Sequence, residues 1–261
     1  MSLVHPHSIV DPSAVIADDV TVGPWSHIGP GCTIGSGTTI GPHVCIHKNT
    51  KIGCHNTVHA FASIGGNPQV SDYKQEDVST LTVGDRNVFH EYVTINRGCC
   101  IRGSGKTVIG SDNLFQVSSH VAHDCLIGNH VIFGNSSAVA GHVKISDFVI
   151  LGAWVGVHQF CEVGNGSFLT HSAMVTQDIL PFLIVAGNKA RVRGINVEGL
   201  KRRAVSQADL SVIKRVYKSA YIQKMPQNEL ISLVKDLLDE GHELLRPMLD
   251  MLQLTKRGFL R

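Results

Sequence analysis

A large apolar residue recurs at every sixth position of the chain, from near the N-terminus to residue 175. A small residue lies two positions before most of these residues, and a glycine often follows them. A period of six fits neither an α-helix, at 3.6 residues per turn, nor an isolated alternating strand, at two. It is typical of the hexapeptide repeats of a parallel β-helix, in which each short strand buries one apolar side chain by stacking on its neighbours.

Three hexads close one triangular coil, so residues 18 apart lie one above the other, about 4.8 Å apart. After Pro181 the hexads stop, and apolar residues such as Leu210, Ile213 and Val216 recur at helical spacing behind a predicted N-cap at Ser206. The sequence therefore predicts a mainly β protein: a left-handed parallel β-helix over residues 1–185, then a small α-helical domain over residues 186–261.

The sixfold register breaks at two places. From Ile64 to Val83 the chain advances 19 residues, one more than a coil, and from Ile95 to Ile109 it advances 14, two more than two hexads. These breaks predict loop insertions near residues 66–80 and 96–107. Loops that leave a repeat structure are exposed and often line the binding face.

The composition indicates a cytoplasmic protein. The N-terminal residues lack a basic region followed by a long apolar run, and no uncharged stretch approaches the ~20 apolar residues of a spanning helix. The seven cysteines are an odd number and contain no Cys-x-x-Cys pair, which favours a reducing compartment. We expect neither a secretory signal nor a membrane span.

Four of the fifteen histidines are predicted to fall on one side of the coil. They are His120, His123, His142 and His158, and they lie within about 10 Å along the axis because they flank valines spaced 18 residues apart. Asp124, Gln159 and Gly141 adjoin them. Three convergent histidines could bind zinc and activate water, and a single histidine could act as a general base near pH 7. The spacing leaves both chemistries open.

The segment 189–224 is strongly basic. It contains ten lysines and arginines against two acidic residues, a local charge of +8, whereas the whole chain carries +2. Such a patch favours an acidic partner. Aromatic residues are not interleaved with these charges, and we find no nucleic-acid motif, so the partner is not expected to be RNA or DNA.

Several motifs resemble one family. Residues 120–125 read His-Val-Ala-His-Asp-Cys, residues 157–160 read Val-His-Gln-Phe, and residues 196–203 read Asn-Val-Glu-Gly-Leu-Lys-Arg-Arg. Together with the Gly141-His142 pair they resemble the UDP-N-acetylglucosamine O-acyltransferases, which take the first step of lipid A biosynthesis. The resemblance covers essentially the whole chain. It implies a homotrimer with active sites in clefts between neighbouring β-helices, a 3-hydroxyacyl donor on acyl carrier protein, UDP-N-acetylglucosamine as acceptor, and no metal or cofactor.

The resemblance also implies a role for each matched residue. His123 would be the general base, Asp124 would orient it, and the Gly141 amide would stabilise the oxyanion. The residues that would contact the sugar or the acyl chain are Gln69, His120, His142, His158 and Gln159. Those that would hold the nucleotide and its phosphates are Asn196, Glu198 and Arg202, while Arg203 would meet the carrier protein.

Two positions depart from the family pattern. The first loop usually reads Gln-Asp-Leu-Lys, but here Val-Ser-Asp-Tyr separates Gln69 from Lys74. The family's lysine therefore aligns on Asp72 or, after a shift, on Lys74, which would then contact the substrate. His171 stands where several members carry small residues. Resemblance implies that it closes the acyl groove, which predicts a donor shorter than fourteen carbons, roughly ten to twelve.

Two other functions are compatible with parts of the sequence. The stacked histidines are also similar to those of the zinc-dependent, carbonic-anhydrase-like hydro-lyases, which are trimeric β-helices with three histidine ligands. The basic segment is compatible with a non-catalytic trimeric scaffold that binds an acidic protein. Neither alternative accounts for the run at residues 196–203.

Overall fold

The computed structural model describes residues 3–74, 78–101, 103–255 and 257–261. The loop predicted near 66–80 includes residues 75–77, the loop predicted near 96–107 includes residue 102, and the N-terminal segment read for a secretory signal includes Met1 and Ser2. These residues lie outside the described part.

The described chain winds into a triangular parallel β-helix with three walls, each a sheet of strands from successive coils. Nearly every strand pairs in parallel with the strand one coil away, as in Thr39↔Thr57 and His120↔Ala138. The offset between paired residues is 18 where no loop intervenes, which is the predicted coil length. The predicted β-helix is confirmed.

Wall 1 contains eleven strands. They are β1 (Leu3–Val4), β4 (Thr21–Val22), β7 (Thr39–Ile40), β10 (Thr57–Val58), β13 (Val88–Phe89), β16 (Leu114–Phe115), β19 (Ile132–Phe133), β22 (Ile150–Leu151), β25 (Phe168–Leu169), β27 (Leu183–Ala186) and β28 (Arg191–Ile195).

Wall 2 contains nine strands. They are β2 (Ile9–Val10), β5 (His27–Ile28), β8 (Cys45–Ile46), β11 (Ser63–Gly66), β14 (Thr94–Asn96), β17 (His120–Val121), β20 (Ala138–Val139), β23 (Gly156–Val157) and β26 (Met174–Val175).

Wall 3 contains eight strands. They are β3 (Val15–Ile16), β6 (Thr33–Ile34), β9 (Thr50–Ile52), β12 (Thr80–Val83), β15 (Lys106–Ile109), β18 (Leu126–Ile127), β21 (Lys144–Ile145) and β24 (Glu162–Val163).

The core is a column of stacked apolar side chains. The second residue of most strands points inward and is buried, and Phe89, Phe115 and Phe133 stack with their ring centroids 4.8 Å apart. At the corners the chain turns sharply, and one residue per turn adopts a positive φ, such as Asp124 (58°) and His142 (63°). We name the three edges corner 1–2, corner 2–3 and corner 3–1 after the walls that they join.

The C-terminal region packs helices onto the end of the solenoid. They are α1 (Val197–Arg202), α2 (Gln207–Tyr217), a π-helix (Lys218–Ile222), α3 (Gln227–Asp239), a 3₁₀ helix (Glu243–Leu245) and α4 (Arg246–Leu254). The predicted N-cap of α2 is confirmed, since the Ser206 hydroxyl accepts a hydrogen bond from the Asp209 amide at 3.0 Å. The domain boundary at residues 185 and 186 stays a prediction, because β28 extends wall 1 beyond it. Among the described residues, no helix combines the length and apolarity needed to cross a bilayer.

Buried asparagines form a ladder inside corner 3–1. The Asn56 side-chain oxygen accepts from the Asn87 amide at 2.9 Å, and that of Asn87 accepts from the Asn113 amide at 3.0 Å. Each side-chain amide also donates to a backbone carbonyl, as Asn87 does to Gly110 at 3.0 Å. The ladder therefore satisfies backbone groups that face the core at each turn.

We expect Asn87→Ala to destabilise the β-helix, because it leaves the Gly110 carbonyl and the Asn113 amide unpaired in the core. Each such group costs about 1–3 kcal/mol. Thermal unfolding followed by circular dichroism would show a clear fall in Tm, whereas the control Asn135→Ala changes an exposed asparagine and should leave it nearly unchanged. Equal Tm values for the two variants would contradict the structural role of the ladder.

Candidate active site

Both loops and the histidine cluster lie at corner 2–3. The first loop connects β11 in wall 2 to β12 in wall 3, and the second connects β14 in wall 2 to β15 in wall 3. The turn that carries His123 and Asp124 joins β17 to β18, also across this corner. The solenoid thus brings together three segments that are separated in sequence.

His123 and Asp124 form a hydrogen-bonded pair. The Nδ1 atom of His123 lies 2.8 Å from Oδ2 of Asp124. The Asp124 side chain is almost fully buried, whereas that of His123 is 13% exposed. The contact assigns the proton of the neutral ring to Nδ1, which leaves Nε2 with a free lone pair.

The second loop holds the Asp124 carboxylate in place. Oδ2 accepts from the Cys99 amide at 2.8 Å, while Oδ1 accepts from the Gly105 amide at 2.9 Å and the Ser104 hydroxyl at 3.1 Å. Burial by itself would raise the pKa of Asp124, but the hydrogen bonds from His123, Cys99 and Ser104 outweigh it and lower the pKa. Asp124 is therefore a fixed carboxylate near neutral pH.

His142 packs beside this pair. Its ring lies edge-on to that of His123, with centroids 5.0 Å apart, and stacks on Phe160 at 4.4 Å. Burial lowers the pKa of His142; the Asp124 charge opposes that effect, and His123 adds to it. The His142 ring is accordingly neutral near pH 7, so it can either donate or accept a hydrogen bond.

Gly141 lies directly against the His123 ring. A Cβ atom built on Gly141 would be 2.7 Å from Nε2 of His123, so any side chain would displace the ring. Among the described residues, the backbone hydrogen bonds do not use the Gly141 amide as a donor. A free N–H beside the free nitrogen of a histidine can receive a developing oxyanion.

An apolar groove of about 470 Å³ runs along the outer face of wall 2. Small side chains such as Ala138 and Gly156 form its floor, His120 and His158 line its sides, and Met174 lies at its far end. The Nδ1 atom of His120 lies 2.8 Å from the Thr94 hydroxyl, and burial lowers the pKa of His120. The groove suits an extended hydrocarbon chain.

A second cavity of about 680 Å³ lies on the other side of the corner, between wall 3 and the C-terminal segment. Asp124, His142 and Phe160 line it together with Lys144 and Arg257. The His123–Asp124 pair therefore stands between an apolar groove and a charged cavity.

The predicted nucleotide-binding helix lies at a different corner. Arg203, which follows α1, places its guanidinium between two aromatic rings of corner 3–1, 5.1 Å from the Phe148 centroid and 5.8 Å from that of Phe182. Gly166 occupies the coil between these two rings and leaves space for the guanidinium, since a Cβ atom at Gly166 would lie 2.2 Å from Nη2 of Arg203. Burial lowers the pKa of Arg203.

The residues of this helix divide into two groups. Asn196 is buried, caps α1 through the Gly199 amide at 3.0 Å, and donates to the Gly166 carbonyl at 2.9 Å. It anchors α1 to corner 3–1, as Arg203 does. Glu198 and Arg202 are exposed, and Glu198 makes a surface ion pair with Lys201 at 3.1 Å.

The structure brings together most, but not all, of the predicted site residues. His120, His123, Asp124, Gly141, His142, His158 and Gln159 share wall 2 and corner 2–3. Gln69 and Lys74 are exposed on the first loop. His171 is exposed in the turn between β25 and β26, at corner 1–2. The α1 residues, at corner 3–1, do not join the cluster within one chain.

Sequence reasoning missed several residues of the site. Phe160 lies 18 residues after His142, so its stacking could have been inferred from the coil length. Cys99 and Ser104, which hold Asp124, lie in a loop where the repeat is broken and spacing carries no information. Met174 is an outward-facing residue of β26, and nothing in the sequence distinguishes it from other such residues.

Two groups in the described part of the chain have ligand atoms close enough to share a cation. One consists of His123, Asp124 and His142, and the other of His59, His90 and Glu91, each with its atoms within 4.8 Å of one another. In the first group the Asp124 carboxylate already accepts four hydrogen bonds, from His123, Cys99, Ser104 and Gly105. In the second the two histidine rings are stacked at an interplanar angle of 1°, so one ion could not lie in both ring planes.

Comparison with known proteins identifies relatives over the full length. A family model described as UDP N-acetylglucosamine O-acyltransferase, domain 2, matches residues 178–260, and one described as bacterial transferase hexapeptide (six repeats) matches residues 13–48. The acyl-(acyl-carrier-protein)–UDP-N-acetylglucosamine O-acyltransferase of Stenotrophomonas maltophilia (strain R551-3) is 46% identical over 99% of this chain and 97% of that protein.

Solved structures show the same fold. The Francisella novicida UDP-N-acetylglucosamine acyltransferase superposes with a TM-score of 0.96 at 38% identity, covering 99% of this chain and 94% of that one. The Moraxella catarrhalis UDP-N-acetylglucosamine O-acyltransferase gives 0.95 at 35% identity and covers 99% of both chains. The chain belongs to the UDP-N-acetylglucosamine O-acyltransferase family.

Proposed function

We propose that this protein transfers a 3-hydroxyacyl chain from acyl carrier protein to the 3-hydroxyl of UDP-N-acetylglucosamine, the first step of lipid A biosynthesis. One observation carries the proposal: a carboxylate-oriented histidine and a free glycine amide meet at the side of an apolar groove. The relative from S. maltophilia is named for the same donor and acceptor. None of the seven cysteines, all of which lie in the described part of the chain, forms a disulfide, and this suits a reaction in the cytoplasm.

The chemistry requires one base and one oxyanion donor. Nε2 of His123 removes the proton from the sugar hydroxyl as the oxygen attacks the thioester carbon, and Asp124 stabilises the imidazolium that forms. The Gly141 amide donates to the thioester oxygen as it becomes an oxyanion. When the tetrahedral intermediate collapses, the C–S bond breaks and His123 returns the proton to the leaving thiolate.

The acyl chain would lie in the groove of wall 2. His120 and Met174 are three coils apart, which corresponds to about 14 Å along the axis. Met174 projects over Gly156, where a Cβ would lie 2.7 Å from its sulfur. His171 occupies the turn that precedes the same strand. We propose that the coil carrying His171 and Met174 closes the groove.

We further propose a homotrimer in which each site is shared by two copies. The β-helix separates α1 at corner 3–1 from His123 at corner 2–3, so one chain cannot bring Glu198 and Arg202 to its own base. If three copies meet with corner 1–2 at a threefold axis, corner 2–3 of each copy faces corner 3–1 of the next. The cleft between them would then contain the base of one copy and α1 of its neighbour.

Corner 1–2 has the surface that such an axis requires. Trp25, Phe61 and Tyr92 are each about half exposed or more, at 59%, 48% and 56%. With His43 they form a ladder of stacked rings, in which adjacent centroids lie 4.9, 5.1 and 5.2 Å apart. An exposed apolar strip of this length favours burial against another chain.

We assign the remaining binding roles to predicted site residues whose side chains are exposed. Glu198 and Arg202 would contact the nucleotide across the cleft, and Gln69 and Lys74 of the first loop would reach the sugar. Exposed cations of α1, α2 and the π-helix would contact the acidic carrier protein; they are Lys201, Lys214, Arg215 and Lys218. We assign Arg203 an indirect role in carrier binding. The stacked guanidinium of Arg203 fixes the position of α1, and α1 contributes to the surface that meets the carrier protein.

His123→Ala should lower the rate of acyl transfer by at least the ~10²–10⁴ typical of losing a general base, because the sugar hydroxyl would have no proton acceptor. Steady-state assays of purified protein, with product quantified by mass spectrometry, would measure it. His130→Ala changes an exposed histidine of corner 3–1 and is the control. A loss limited to threefold in His123→Ala would reject His123 as the base. A stoichiometric zinc ion whose removal abolishes activity would favour the hydro-lyase chemistry instead.

Mixing two defective chains tests the shared cleft. His123→Ala removes the base and Arg202→Ala weakens nucleotide binding, so each variant alone should be slow at low nucleotide-sugar concentration. In trimers formed at random from equal amounts of both, roughly one cleft in four combines an intact His123 with an intact neighbouring Arg202. Co-expression should therefore restore about a quarter of the wild-type rate. If mixed trimers are no faster than the mean of the two parents, the site lies within a single chain.

Chain-length preference tests the end of the groove. We expect the wild type to prefer a 3-hydroxyacyl donor shorter than fourteen carbons, since each excluded methylene forfeits about 0.8 kcal/mol. His171→Gly and Met174→Gly should each shift the ranking of competing donors toward longer chains, and the double variant should shift it further. If the wild type already prefers a fourteen-carbon donor, or if the double variant ranks donors as the wild type does, the coil carrying His171 and Met174 does not close the acyl groove.

A further inference from the structure

A buried arginine lies at the base of both loops. Arg97 directly follows β14 and is 1% exposed, which makes it the largest fully buried side chain in the described part of the protein. Its backbone amide donates to the Gly66 carbonyl at 2.9 Å, so its main chain already joins the end of β14 to the start of the first loop.

The Arg97 guanidinium connects the two ends of the first loop. On the entry side, Nη1 donates to the Gly65 carbonyl and Nη2 to the Asn67 side chain. On the exit side, Nη2 donates to the Tyr73 hydroxyl at 3.1 Å and Nε is 3.4 Å from the Ser79 hydroxyl. Gln69 and Lys74, the proposed substrate contacts, belong to the segment that these bonds close.

Within the described part of the chain, no carboxylate balances the positive charge of Arg97. All four acceptors of its guanidinium are neutral, and none of the salt bridges between described residues includes it. The Arg97 charge also affects a neighbouring histidine. Burial lowers the pKa of His47, and the positive charge of Arg97 lowers that pKa further. Burying an unpaired cation is unfavourable, and an apolar side chain could close a surface loop without that cost.

The same residue also adjoins the support of the catalytic pair. Gly98 donates to the Thr80 carbonyl at 3.2 Å, and Cys99 donates to the Asp124 carboxylate at 2.8 Å, which in turn bonds His123. Gly98 alone therefore separates Arg97, whose guanidinium fixes the first loop, from Cys99, whose amide fixes Asp124.

We propose that Arg97 is a positioning residue that holds the substrate-contacting first loop in register with the His123–Asp124 pair. The proposal rests on the acyltransferase function proposed above. Arg97 touches neither substrate nor reacting atoms. It acts by fixing the first loop, which carries Gln69, and by fixing the Cys99 amide in the second loop. A planar guanidinium can serve acceptors on both sides of the loop at once, whereas a lysine ammonium cannot reproduce that geometry.

The test compares Arg97→Lys and Arg97→Met with the control Arg86→Lys, which changes an exposed arginine paired with Asp112 at corner 3–1. We expect both Arg97 variants to raise KM for UDP-N-acetylglucosamine roughly ten- to hundredfold, with a smaller fall in kcat, as misplaced binding groups do. Amide hydrogen exchange should accelerate in peptides from the first loop. The control should match the wild type in all three measurements.

The two Arg97 variants separate positioning from charge and from folding. If Arg97→Lys keeps wild-type KM and kcat, the charge alone suffices and the proposal is overturned. If activity falls only in proportion to the folded fraction, with KM unchanged, Arg97 has a purely structural role and the proposal is equally overturned. Should Arg97→Met fail to fold, Arg97→Lys still decides. A wild-type protein that makes no acylated sugar would instead refute the proposed function.

Discussion

The stacking of one apolar side chain per hexad on the residue one coil away determines the rest of this structure. It aligns the strands in three walls and repeats every corner at the same angular position. As a consequence, residues 18 apart become neighbours, and a row of side chains along one corner becomes a continuous functional surface. The same rule produces the phenylalanine column in the core and the His142–Phe160 stack at the surface.

The proposed active site uses this rigidity in two ways. The solenoid places the His123 ring against the backbone of the next coil, where Gly141 leaves space for it and offers a free amide. The loop that interrupts the solenoid provides hydrogen-bond donors that the repeat lacks. The backbone amides of Cys99 and Gly105 both donate to the buried carboxylate of Asp124. Preorganised donors of this kind need little rearrangement as charge develops during the reaction.

The sequence predicted the regular parts of the molecule and only part of the site. The period of six identifies the β-helix, and the breaks in it locate both loops, because a solenoid tolerates no slip in register. Spacing of 18 also groups the histidines. It does not reveal the partners of Arg97 or Asp124, because the loops have no period. Nor does it reveal that Arg203 fills the space above Gly166, since that contact depends on how α1 docks at corner 3–1.

We propose that the histidine pair and the groove carry out acyl transfer to a nucleotide sugar. The most direct measurement is to incubate the purified protein with UDP-N-acetylglucosamine and 3-hydroxyacyl carrier proteins of graded length, and to determine the products by mass and by nuclear magnetic resonance. We predict a single acyl ester on the 3-oxygen of the sugar, together with free carrier thiol. Release of free fatty acid without an acylated sugar, or acylation at another position, would contradict the account.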